Sequence, residues 1–143
     1  MKSPSGANSV LGLWKLLSAR VQMEDTGEML DLFGPDPQGF FVFGSDGRMM
    51  TILSASGRIL PANEPDMAAA FRGMMAYTGR FIVEQNQVVI EVDVAWHPAW
   101  ENTRQVRFFE LKGDRLTLTT EIQGHPSYPN RKLRGIIAWI RET

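Results

Sequence analysis

Gly12-Leu13-Trp14, at the head of a strand-like run, constrains this chain more than any other feature. A Gly-x-Trp there can plug one end of a small closed barrel with its indole and leave the other end free for a ligand. Seven further strand-like segments follow, most of them closed by tight turns, with Trp139 in the last one. The pattern therefore bears on architecture and on where function sits, in the lumen. It does not name the chemistry.

Along the chain, residues 1–9 are small and polar and are expected to be disordered, with a barrel domain over 10–143. Leu11 to Met23 forms a long, partly alternating strand. The connection from Glu24 to Gln38 is long and carries an apolar patch, Met29, Leu30, Leu32 and Phe33, which suggests a folded flap or functional loop. Gly39–Gly44 and Arg48–Ser54 flank Ser45-Asp46-Gly47, and Asp-Gly between apolar runs is a strong hairpin signal.

Then the period changes. Asn63 suits a helix cap, Pro65 its first turn, and Met67, Ala70, Phe71, Met74 and Met75 lie at helical spacing. The two-residue period returns in Tyr77–Glu84, Val88–Trp96, Thr103–Lys112, Arg115–Gln123 and Lys132–Arg141. The sum is an all-β, closed antiparallel barrel of about eight strands with one short amphipathic helix. Closure leaves no exposed sheet edge.

Composition excludes several classes. A net charge of −1 lacks the basic excess of a nucleic-acid binder. The tight basic cluster Arg131, Lys132 and Arg134 reads as a solvated strand start before it reads as a phosphate site. Without cysteine there is no disulfide framework, thiolate nucleophile or cysteine–zinc site. No apolar run approaches the roughly 20 residues of a spanning helix, so membrane insertion is not expected. The first residues carry no apolar export signal, which leaves the cytoplasm as the default compartment. His97 and His125 fall in loops with no metal-ligand spacing, and neither a Gly-x-Ser-x-Gly elbow nor a Gly-rich phosphate loop occurs. No cofactor or metal is expected.

Several segments, taken in order, resemble the lipocalin-like domain family of small bacterial and fungal barrels. They are Gly12-Leu13-Trp14-Lys15-Leu16, Asp36-Pro37-Gln38-Gly39-Phe40-Phe41-Val42-Phe43, Ser45-Asp46-Gly47-Arg48-Met49 and Ala76-Tyr77-Thr78-Gly79-Arg80-Phe81. Pro98-Ala99-Trp100, Gln105-Val106-Arg107-Phe108 and Gly113-Asp114-Arg115-Leu116-Thr117-Leu118 continue the series, and Trp139 and Arg141 match the closing strand. The resemblance runs from about Leu11 to Arg141 and implies a barrel whose interior can hold an apolar ligand. The chain departs from the family where a histidine pair often precedes the Pro-x-Trp segment; here Ile90-Glu91 stands. An activity that depends on those imidazoles is not implied.

Which strand faces point inward decides the site. Trp14, Leu16, Ser18 and Arg20 share a face by strict alternation, which would carry Arg20 toward the lumen. Arg107, Phe109 and Leu111 share another; so do Leu116 and Leu118, and Ile137, Trp139 and Arg141. An arginine there needs a carboxylate or a ligand anion. Glu91 and Asp93 share a face opposite the apolar Val88, Ile90, Val92, Val94 and Trp96, which makes the carboxylates solvent-facing. If they point inward instead, a Glu91–Arg107 pair becomes the candidate for acid–base work. Tyr77 reads as a packed core tyrosine or a lumenal donor, and Trp96 and Trp100 as a cavity wall, a dimer contact or a loop staple.

The candidate ligand-binding residues are thus Arg20, Phe41, Tyr77, Phe81, Glu91, Arg107, Phe109, Leu118 and Trp139. The favoured function is binding of a small hydrophobic or amphipathic molecule in the lumen. A cyclase or isomerase acting on an apolar substrate, and an interaction module with a self-filled barrel, are the alternatives. A homodimer is left open.

Overall fold

The computed structural model describes residues 9–125 and 128–142; most of the segment expected to be disordered, residues 1–8, lies outside them. The strands are β1 (Gly12–Met23), β2 (Met29–Asp31), β3 (Gln38–Phe43), β4 (Arg48–Ser54), β5 (Met74–Glu84), β6 (Gln87–Ala95), β7 (Arg104–Lys112), β8 (Arg115–Thr120), β9 (Gln123–His125) and β10 (Tyr128–Arg141). The helix α1 spans Glu64–Arg72. Eight strands close an antiparallel barrel in the order β1, β3, β4, β5, β6, β7, β8, β10, with β10 pairing back onto β1. Strands β2 and β9 are short additions that pair with β1 and β10. The fold expected from the period is the fold observed.

The turns explain the order. Gly47 takes φ 90° and Gly113 takes φ 59°, values open to glycine at little cost, and each sits in a tight hairpin turn. In the first, Asp46 Oδ1 accepts from the Arg48 amide at 3.2 Å. In the β5–β6 turn Gln85, at φ 56°, adopts the same left-handed region. These tight turns all fall at the end where β1 begins. The longer connections, 24–37, 55–73, 96–103 and the one that follows β8 from residue 121, fall at the opposite end.

The tight end is solid. Trp14 is fully buried and donates its Nε1–H to the Val10 carbonyl at 2.9 Å. The Arg141 guanidinium lies over the Trp14 ring, 4.2 Å from its centroid, and donates to the carbonyls of Leu11 and Ser9 at 2.9 and 2.7 Å. Phe43, Met49, Phe81, Val88, Ile90 and Leu116 fill the space above it, with the Phe43 and Phe81 rings 4.9 Å apart. Burying each such side chain contributes about 1.5–3 kcal/mol, so this layer carries much of the stability.

Two irregularities overturn faces expected from strict alternation. Between Leu16 and Ser18 the β1–β10 register shifts, with Leu17 as the extra residue. From there Ala19, Val21 and Met23 point in and Arg20 points out. A single inserted residue flips every later side chain. The β5–β6 register likewise shifts between Thr78 and Gly79, with Asp93 as the extra residue. Val94, expected inside, is therefore 60% exposed. Gly79 belongs to this crossing: a Cβ there would lie 2.8 Å from the Glu91 carbonyl carbon and 2.9 Å from Val92 Cα.

The helix is capped as its sequence suggests, Asn63 Oδ1 accepting from the Asp66 amide at 2.9 Å. It ends earlier than the apolar spacing implies. The Gly73 N–H closes it on the carbonyls of Ala69 and Ala70, and Met74 and Met75 start β5. No helix residue is buried; Phe71 leans on His97 and Trp96, with ring centroids 5.6 and 6.4 Å away.

Candidate ligand-binding lumen

At the end with the long connections the barrel holds a cavity of about 60 Å³. Phe41, Thr51 and Leu53 line it from β3 and β4, Met75 and Tyr77 from β5, Leu118 and Thr120 from β8, and Ile137 and Trp139 from β10. Two connections roof it. The apolar patch of the 24–37 segment sends Leu32 and the buried Phe33 across the opening. Trp100 comes from a short 3₁₀ turn, Pro98–Trp100, capped by His97, whose Nδ1 accepts from the Ala99 amide at 3.0 Å. His97 is thereby engaged in holding Trp100 in place. Outside the cavity lies a mouth space of about 160 Å³, bordered by Phe71, Trp96 and His97 and sharing Phe33, Met75 and His125 with it.

Arg107 stands out on the wall. It is 6% exposed, and its Nη1 donates to the Val106 carbonyl at 3.1 Å and Gln105 Oε1 at 3.4 Å. Gln105 is in turn held by Thr103, and the guanidinium carbon sits 5.8 Å from the Trp100 ring. Among the described residues no carboxylate forms an ion pair with it. The Trp139 ring meets Phe41 edge-on at 5.4 Å, and its buried Nε1–H has no acceptor among the described residues. Thr51 and Thr120, by contrast, spend their hydroxyls on the carbonyls of Phe40 and Glu121.

Of the residues singled out in the sequence, Phe41, Tyr77, Arg107, Leu118 and Trp139 come together around the cavity. Phe81 belongs to the packed floor with Phe43, and Phe109, paired with Leu118, packs against the core without lining the cavity. Arg20 is on the outer face, a correction that follows from the extra residue Leu17 in β1, and Glu91 is also outside, as the alternation of its strand indicates, so neither belongs among the ligand-binding residues. Arg20 lies 3.6 Å from Asp31, and Glu91 lies 3.7 Å from Arg104, so no lumenal Glu91–Arg107 pair exists. Asp93 is also outside, in a two-pronged pair with Arg48 at 2.8 and 3.1 Å whose guanidinium holds the carboxyl below its ordinary range. Arg131 in the basic cluster pairs with Asp25 at 2.9 Å, which lowers that carboxyl in the same way.

His125, expected in a loop, lies in β9 and lines the cavity; burial pushes its imidazole below the ordinary value of 6.5. Trp100, one of whose readings was a cavity wall, does stand on the wall, whereas Phe33, Met75, Thr120 and His125 were not among the candidates. For Phe33 the available signal was the length of its connection, and for Met75 and Thr120 their place at the strand ends beside the long connections. Among the described residues no acidic or histidine cluster could hold a metal ion, and no helix is long and apolar enough to cross a membrane.

A wider hollow of about 530 Å³ lies on the outer surface of β3–β6, formed by exposed Leu13, Phe40, Met50, Ile52 and Val94. It is shallow and offers almost no polar group to orient a small molecule, so the enclosed lumen is the better site.

With a Trp-plugged eight-strand barrel open at one end, a profile of the lipocalin-like domain family matches residues 11–142. The chain belongs to the lipocalin-like domain family. A relative from Aspergillus oryzae (strain ATCC 42149 / RIB 40), named 4'-hydroxy-3'-methoxypropiophenone carrier protein ppsC, is 35% identical over a segment covering 43% of this chain. That segment covers 62% of the relative's length. Among solved structures, that of EF1p2_mFAP2b bound to DFHBI is similar over 98% of this chain and 100% of that one, at 14% identity and a TM-score of 0.49. Membership of the lipocalin-like domain family thus rests on the profile match.

Proposed function

We propose that this lipocalin-like domain binds and carries a small apolar or amphipathic molecule in its lumen. One observation carries the reading: Arg107 is buried on the cavity wall without a carboxylate partner among the described residues. A cation taken from water into apolar surroundings costs several kcal/mol unless a partner repays it. A ligand acceptor is the partner that makes the position intelligible. The Aspergillus oryzae relative, named as a carrier, supports carriage over catalysis.

Native mass spectrometry of the purified protein, followed by denaturing extraction, tests the reading. An adduct that is lost in a folded Leu118→Arg variant is the expected result. A bare mass, unchanged after challenge with small aromatic and aliphatic acids, would refute it. A self-filled interaction module is the second reading, favoured by the narrowness of the lumen, about 60 Å³. The apolar outer face over Phe40, Met50 and Ile52 would then be its contact surface, in a homodimer or with another partner.

A further inference from the structure

Building on the lumen as a small-molecule site, we propose that its ligand is a single aromatic ring bearing acceptor oxygens at two ends. An anionic oxygen, carboxylate or phenolate, faces Arg107, and a neutral one, carbonyl or ether, faces the Trp139 indole N–H. The polarity of the wall points this way. Trp139 Nε1 is a buried donor with no acceptor among the described residues, and Arg107 gives hydrogen bonds only to neutral oxygens. Among the described residues no Asp or Glu lines the cavity. An unmade buried donor is costly, more so when charged, so these two points of the wall select acceptors, and no carboxylate among the described residues stands there to pair with an ammonium.

The register sets the two donors at different depths. Arg107 pairs with Thr120, the last residue of β8 and level with the mouth. Trp139 pairs with Leu16 and Leu116, close above the Trp14 plug. An occupant that meets both must therefore be elongated, with oxygens at opposite ends.

Size and shape narrow the class further. A void of roughly 150 Å³ takes up benzene, and the inner cavity alone, about 60 Å³, is smaller. The mouth space adds about 160 Å³ across Met75 and Phe33, and methionine yields readily to an incoming shape. The Phe41–Trp139 and Tyr77–Trp100 pairs, each in ring contact at 5.4 and 5.2 Å, give that space aromatic walls suited to a ring.

The test is isothermal calorimetry of the full chain with four para-substituted benzenes of similar shape. These are 4-acetylbenzoate, 4-isopropylbenzoate, 4-ethylacetophenone and 1-ethyl-4-isopropylbenzene. The first should bind at least about tenfold more tightly than either compound with one oxygen-bearing group, and the hydrocarbon most weakly. Trp139→Phe should erase the advantage of 4-acetylbenzoate over 4-isopropylbenzoate and leave the carboxylate preference. Arg107→Met should do the converse. Equal affinity for all four would overturn the two-donor proposal while leaving the lumen as a binding site. Binding of none would overturn both. The comparison among compounds on the unmodified chain decides the matter even if a variant misfolds.

Discussion

Replacing Arg107 by methionine should make the ligand-free protein more stable. The guanidinium is 6% exposed, and removing a charge of that kind from water costs several kcal/mol. Against this stand two hydrogen bonds from a single nitrogen to neutral oxygens, at 3.1 and 3.4 Å. The longer is at the edge of usefulness, and together they return about 2–3 kcal/mol. The Trp100 ring, at 5.8 Å, adds about 0.5 kcal/mol. Methionine keeps the length of the stem and fills apolar space, contributing about 1 kcal/mol of its own. The balance favours the variant by about 1–2 kcal/mol, a rise in Tm of roughly 3–6 °C for a chain of this size. Thermal unfolding of the ligand-free proteins, followed by far-ultraviolet circular dichroism, reads this directly. A Tm lowered by about 3 °C or more would refute the reasoning. It would mean that Gln105, Val106 and Trp100 already repay the buried charge and that Arg107 is structural.

Three other outcomes follow from the same geometry. Trp14→Phe removes the Nε1–Val10 hydrogen bond and weakens the Arg141 stack; it should cost about 2–3 kcal/mol in urea unfolding while leaving ligand affinity within about twofold. Gly79→Ala forces a Cβ against the Glu91 and Val92 backbone at the β5–β6 irregularity; soluble yield and Tm should both collapse, with a loss of about 3 kcal/mol or more, whereas a near-neutral variant would show that the crossing can spread. His125 is held below its ordinary 6.5 by burial, so the unfolded chain binds the proton more readily. Its contribution is complete above 6.5 and is lost as the pH falls through the lower folded value; a Tm–pH profile from 7.5 to 5 should therefore fall more steeply for the native chain than for His125→Gln.

Much of the barrel was legible because its signals are local. Asp46-Gly47 and Gly113-Asp114 mark turns by backbone chemistry alone, and the return of a two-residue period after Gly73 marks β5. Trp14 as a plug was readable from its place at the head of β1. The lumen was only half legible, for two physical reasons. Face assignment depends on unbroken alternation, and nothing in Leu16-Leu17-Ser18 or Val92-Asp93-Val94 announces an extra residue; that is set by the partner strands. Arg20 and Val94 were lost in that way. Depth along the barrel axis is the second reason. Phe41 and Phe81 look alike in sequence, yet the register puts one on the cavity wall and the other in the packed floor. Phe33, Trp100 and His125 reach the site from connections and a short added strand, whose paths follow no period at all.

The pairing of β10 with β1 has a consequence for how the protein is made. The barrel's first strand waits for a partner that lies more than a hundred residues further along the chain. Until residues 133–141 have left the ribosome, one side of β1 and one side of β8 are open edges. At ordinary synthesis rates of about 5–20 residues per second, that wait lasts several seconds, and unpaired edges invite association with other chains. Outward-facing Lys15 and Arg20 on β1 place charge along the waiting edge. Soluble yield should therefore depend less on how stable the finished barrel is than on how quickly its last strand docks.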